Sequence, residues 1–311
     1  MSWLWVSLAI ALQARSAALG DSQLATAALA SPRPRECRGP ARGEDGLWTR
    51  ARAGDAQRYC ELLARGYARL SQTPTESLAA AQAAEALVGP GLQIHVLRGR
   101  ARLRLGQAHD AFTQFAIAEA EDDGTAFLDP KALHDYARAA SLAGTPADAV
   151  RLYRMLVSRS ALLDDAREKS VLQIEAAAQV LAYAPSGSDE ALGYLAQARR
   201  NALGLSPWIA GLRLLIATRD GRGVRSFGGS ALPTLAALTQ PLAGASGESP
   251  VLPAGELEAV RAVLTESSEP SESRRHWELF VAQAHGENVW LAQARKKLAE
   301  ASSGVGKGKP R

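Results

Sequence analysis

Aromatic residues are scarce in this chain, with six Trp, six Tyr and five Phe among 311 residues. Sheets draw their cores from aromatic and β-branched side chains, so the shortage weighs against a β fold. Cysteine is scarcer still: Cys37 and Cys60 are the only two. Two thiols cannot build a zinc site by themselves, and they leave room for one disulfide at most. Lysine is confined to Lys131, Lys169, Lys296, Lys297, Lys307 and Lys309, so arginine supplies the rest of the 36 basic residues. These are interspersed with 32 acidic residues for a net charge of only +4. No dense basic patch of the kind that neutralises phosphates stands out, so nucleic acid is not an expected partner. Long apolar runs are missing as well. The longest, residues 3–12, is too short for a transmembrane span.

Catalytic signatures are also lacking. His95, His109, His134, His276 and His285 form no His-Glu-x-x-His or comparable ligand cluster. The glycine-rich stretch at 221–223 lacks the Lys-Ser/Thr of a phosphate loop, the one at 304–307 has no helix expected after it, and there is no Gly-x-Ser-x-Gly. Asp122 and Asp123 sit in a polar loop that offers no desolvation to shift a pKa. The expectation is a non-enzyme with no metal or cofactor.

What the chain has in quantity is alanine, about a fifth of its residues. Alanine is the strongest helix former and lets helices approach closely, so the expected fold class is all-α. Residues 3–12 followed by Ser16-Ala17-Ala18 or Ala28-Leu29-Ala30 suit a signal peptide over residues 1–30 and a periplasmic or secreted protein. Against this, no Lys or Arg precedes the apolar run and Arg15 follows it closely, which leaves a cytoplasmic protein with an N-terminal helix as the alternative. In an oxidising compartment Cys37 and Cys60 can pair; in a reducing one they stay free thiols. Residues 31–54, rich in Pro, Gly and Arg, read as a linker.

The stretch 97–118, LRGRARLRLGQAHDAFTQFAIA, organises the rest. Alone it is ambiguous, because Leu and Arg alternate at first with the period of a strand. Recurrence decides for helices. Gly99, Gly106, Ala111, Phe115 and Ala118 set a spacing that Ala137, Gly144, Ala149 and Tyr153 repeat, with Leu156 closing that copy. A looser copy falls on Ala191, Leu195 and Ala198, and an earlier one is read on Ala79, Ala83 and Ala86. Thr73-Pro74-Thr75-Glu76 opens that earlier helix as a capping box with proline in the first turn. The marker alanines 79, 111, 149 and 191 lie 32, 38 and 42 residues apart, which argues for loops of uneven length.

This G-x6-G-x4-A-x3-F-x2-A pattern resembles the core of the tetratricopeptide repeat, a helical hairpin of about 34 residues. The resemblance implies a right-handed solenoid of hairpins over residues 55–220, each packed only on its neighbours. Residues 221–254, rich in Gly, Pro, Ser and Ala, are expected to be a flexible insertion. Helices within 255–300, anchored by Trp277, Phe280 and Trp290, would form a C-terminal cap, followed by a disordered basic tail at 301–311. In the family the first helix of each hairpin lines a concave groove. Carried over, Gln93, Val96, Arg100 and Arg104 of one copy and Lys131, His134 and Arg138 of the next would face a partner and make the groove basic, suited to an acidic peptide. The alternative is that these charges are ordinary solvated helix faces. The family's carboxylate clamp needs paired lysines and asparagines, and Asn201 and Asn288 are the only asparagines here, so chaperone-tail recognition is not expected. The expected function is an envelope interaction scaffold; the alternative is a helical accessory domain that binds a cell-wall ligand or serves an envelope enzyme.

Overall fold

The computed structural model describes residues 37, 53–121, 129–201, 205–221 and 249–304. The expected leader, most of the 31–54 linker, the loop carrying Asp122 and Asp123, most of the 221–254 insertion and the end of the basic tail lie outside the described residues. Among the described residues there are twelve α-helices: α1 (Ala53–Arg69), α2 (Pro74–Val88), α3 (Leu92–Arg104), α4 (Ala108–Ala120), α5 (Pro130–Leu142), α6 (Pro146–Ser158), α7 (Ala166–Tyr183), α8 (Ser188–Asn201), α9 (Ser206–Arg219), α10 (Glu256–Thr265), α11 (Pro270–Gln283) and α12 (Leu291–Gly304). No strand occurs among the described residues. The fold is all-α, and the chain divides into two compact units, Met1–Leu128 and Asp129–Arg311.

Helix starts follow local chemistry. Proline occupies the first turn of α2, α5, α6, α9 and α11, where a missing N–H costs nothing. Asp129 and Asp165 cap α5 and α7 by accepting from the backbone N–H of Lys131 and Arg167. The expected capping box at α2 does not form. Thr73 makes no side-chain cap, and Glu76 turns instead to Arg69, 3.4 Å away. Two turns end alike: Gly106 and Gly144 both adopt φ +74°, and the next N–H (Gln107, Thr145) reaches back to the carbonyls of Arg102 and Ala140. Only a residue without a Cβ takes that conformation at little cost.

In the first unit α1 packs on α2, α2 on α3 and α3 on α4. Tyr59, Leu63, Leu70, Ala81, Ala84, Ile94, Leu97 and Ala101 form one buried cluster with Cys37, which is disulfide-bonded to Cys60 of α1. The bond settles the choice between paired and free thiols. Ala111, Phe115 and Ala118 are fully buried, and a Cβ on Gly99 would lie 3.0 Å from the Phe115 ring, so α3 and α4 cross with no space to spare. The register read for the earlier copy is corrected. Ala79, Ala83 and Ala86 are exposed, and the buried set is Ser77, Ala80, Ala81 and Ala84.

In the second unit α5 to α9 follow the same pairwise order, with Ala149, Tyr153 and Leu156, and then Ala191, Leu195 and Ala198, buried as expected. Helices α7 to α12 share one core, in which Trp208, Ile209 and Leu212 meet Trp277, Phe280 and Trp290. The neighbours-only expectation does not hold here. The segment between α11 and α12 runs back: Val289 N–H donates to Ala182 O at the end of α7, and a Cβ on Gly144 would lie 2.7 Å from the His285 ring. Helix α7 is consequently buried on every side from Ser170 to Ala182, not exposed along one face.

Candidate functional site

The seven residues placed on a basic groove by spacing fall in different units, four in the first and three in the second. In the first unit, α1 and α3 bring together Tyr67, Gln93 and Arg100. The Tyr67 hydroxyl donates to Gln93 Oε1 (3.1 Å), and the Arg100 guanidinium sits 5.9 Å from the centre of the Tyr67 ring. Arg104, one turn further, is exposed, whereas Val96 is buried and presents nothing to a partner. The intervening arginines point elsewhere. Arg98 pairs with Glu85 of α2, and Arg102 with Asp110 of α4 at 2.5 Å.

In the second unit Lys131 is exposed and 3.8 Å from Glu168. His134 and Arg138 are neither groove cations nor solvated charges, and that part of the expected basic stripe is corrected. Both are buried against Glu175 of α7, which is itself inaccessible to solvent. Arg138 donates to Glu175 Oε1 (2.8 Å from Nη2) and His134 Nε2 lies 2.5 Å from Oε2. The Tyr153 hydroxyl donates to Oε2 (3.0 Å). An ionised carboxylate only accepts, so the ring proton of His134 sits on Nε2. Burial alone would push the Glu175 carboxyl up, but the charges of Arg138 and His134 and their hydrogen bonds outweigh it and hold it at about 2. The same burial, with the Glu175 charge beside it, drives the Tyr153 hydroxyl well above its ordinary value.

A fourth residue donating to Glu175 comes from a distant part of the chain: Val251 N–H, 2.8 Å from Oε1. The stretch 249–253 therefore lies against α7 as ordered, non-helical chain, and the expected insertion ends before it. Pro250 and Pro253 are buried, and Leu252 packs on the core of α7 to α12.

Behind this stretch Gly255 (φ +84°) opens α10 and puts Glu256 out of solvent. Its Oε1 accepts from Asn288 Nδ2 (2.8 Å), while Oε2 has no partner. Burial pushes this carboxyl up to about 7, against the Asn288 hydrogen bond and the charge of Arg219. Arg219 is engaged by the carbonyls of Leu181 and Pro185 and stacks 5.1 Å from the centre of the Trp290 ring.

Spacing missed Glu175 and Glu256, the two carboxylates wholly out of solvent. One signal was present, since Glu175 is flanked on both sides by apolar residues in LQIEAAAQVL, an unusual setting for an exposed helical glutamate. No helix among the described residues is long and apolar enough to cross a membrane. Among the same residues no cluster of three or more His, Cys, Asp or Glu is placed to hold a metal ion. Comparison with models of known families, with curated proteins and with solved structures finds no match.

Proposed function

We propose that this chain is a non-catalytic scaffold of the cell envelope, a right-handed solenoid of tetratricopeptide-like hairpins that holds an extended segment of a partner protein on its first-helix surfaces. The observation that carries the reading is internal. Residues 249–253 rest on the first helix α7 as non-helical chain, anchored through a main-chain N–H on Glu175. Support for the hairpin architecture comes from the pairwise packing, the matching glycine turns at 106 and 144, and the small or aromatic residues buried at repeating positions. The Cys37–Cys60 bond supports an oxidising compartment.

The partner surface in this reading is the α1 and α3 face carrying Tyr67, Gln93, Arg100 and Arg104. Its charge favours an acidic segment, with complementarity acting mainly on encounter rate and selectivity, and weakening with salt. The test is a photo-crosslinking residue at Gln93 in the full chain, followed by mass spectrometry of what it captures from envelope extract. A single stoichiometric protein, lost on Arg100→Glu with Arg104→Glu and retained on Arg102→Glu, is the expected result. Equal loss with all three changes would reduce the face to general electrostatics, and retention of cell-wall polymer in place of protein would overturn the reading.

A further inference from the structure

The stretch 249–253 has the sequence Ser-Pro-Val-Leu-Pro, and its chemistry says what the surface beneath it accepts. Prolines fix their own φ near the polyproline value and force the preceding residue to extended backbone. Two Xaa-Pro pairs in five residues therefore stiffen the stretch before it docks, so it loses little entropy on docking. Its backbone makes no ladder or helix, and the Val251 N–H is read by a side chain.

Glu175 does not depend on that contact. Without Val251, Oε1 still accepts from Arg138, and Oε2 from His134 and Tyr153. Lifting the stretch away leaves no Glu175 oxygen orphaned; it costs the Val251 hydrogen bond, the burial of Pro250 and Pro253 and the partial burial of Val251 and Leu252, while Pro253 O gives up the Glu256 N–H only if the release extends to the start of α10. A structural buried carboxylate whose only donor came from this segment would behave oppositely.

We propose that the surface of α5 and α7 around Glu175 is a backbone-reading peptide site, occupied in cis by residues 249–253, which takes in their place a partner segment of the same chemistry: two aliphatic residues flanked by prolines, with a free N–H on the first aliphatic. The inference rests on the scaffold reading but concerns a different unit from the Arg100 face, so failure here with capture at Gln93 intact sinks the peptide site alone. The cis occupant is tethered, which gives it a high effective concentration over any free peptide.

The probe is a fluorescein-labelled peptide copying residues 248–255, read by anisotropy against the full chain. Val251→Pro removes the anchoring N–H of the cis stretch, and Leu252→Ser independently weakens its apolar contact. The opened variants, retaining helical circular dichroism, are expected to bind the peptide about tenfold or more tighter than the unmodified chain. A second peptide carrying N-methylvaline at the position of Val251 should bind them about tenfold weaker, since it cannot donate the hydrogen bond. Equal binding of the two peptides would overturn backbone reading, and equal binding by unmodified and opened chains would overturn occupancy in cis. No binding by folded opened variants, exchange into dimers, or unfolding of both variants would show that the stretch is simply part of the core.

Discussion

Replacing Glu256 by Gln should make the second unit more stable at neutral and higher pH, the reverse of the usual outcome for a buried side chain. The carboxyl titrates at about 7 in the folded chain against 4.5 in an unfolded one. The folded state therefore binds the proton more tightly, and Glu256 costs nothing below pH about 4.5. As pH rises from there to about 7 the folded state is progressively penalised, and above that the penalty is constant. A displacement of roughly two and a half pK units corresponds to about 3 kcal/mol. The cause is visible in the site: one oxygen has the Asn288 amide, the other has nothing, and Arg219, the nearby cation, is spent on two carbonyls and the Trp290 ring. Glutamine keeps the acceptor for Asn288 and carries no charge, but its amide takes the orphaned position at a cost of about 1 to 3 kcal/mol. Urea unfolding of both proteins between about pH 5 and pH 8 measures the difference. The unmodified protein should lose about 2.5 kcal/mol relative to the variant over that range. Parallel pH profiles, or a relative gain by the unmodified protein as pH rises, would refute the assignment of a neutral Glu256.

Glu175 should act in a separate window. Its carboxyl is held at about 2, so its stabilisation is present above pH 4.5 and lost on acidification from there towards 2, and Glu175→Gln should flatten that acid limb in circular dichroism. Ala111→Leu should cost on the order of 1 to 3 kcal/mol by overpacking the α3–α4 crossing; an unchanged melting temperature would contradict the described contact. Reducing the Cys37–Cys60 bond, which spans 23 residues, should lower stability by about 3 kcal/mol, read as a shifted urea midpoint. Mass spectrometry of the mature N-terminus should show a start within or just after residues 16–30; a protein retaining Met1 or Ser2 in the cytosol would remove the export proposal.

Helix class and the tight crossings were legible because both depend on local spacing: Gly99, Ala111, Phe115 and Ala118 must be small or aromatic where two helices touch. The same rule slipped by two residues in α2. That helix carries alanine at 79, 80, 81, 83, 84 and 86, so every face is equally small and no aromatic fixes the phase. The site was less legible for a different reason. Glu175 meets partners 22, 37, 41 and 76 residues away, and no local period encodes such a meeting. His134 and Arg138 lie on α5, the helix that spacing gave them, but not on an open groove: the buried Glu175 that faces them could not be read from their own helix.

The return of residues 285–289 to the Gly144 turn and the end of α7 also bears on how this protein can change length. Open arrays of repeats grow and shrink by duplicating or deleting a unit, because each unit touches only the next. Here a hairpin inserted between α6 and α7 would carry Gly144 away from His285 by about a helix-packing distance, 8 to 10 Å, while Val289 stayed on Ala182. Only three residues separate His285 from Val289, so the short link between them has little slack to follow. Variation in this unit is thereby directed to side chains and loops, and the repeat number is locked by its own clasp.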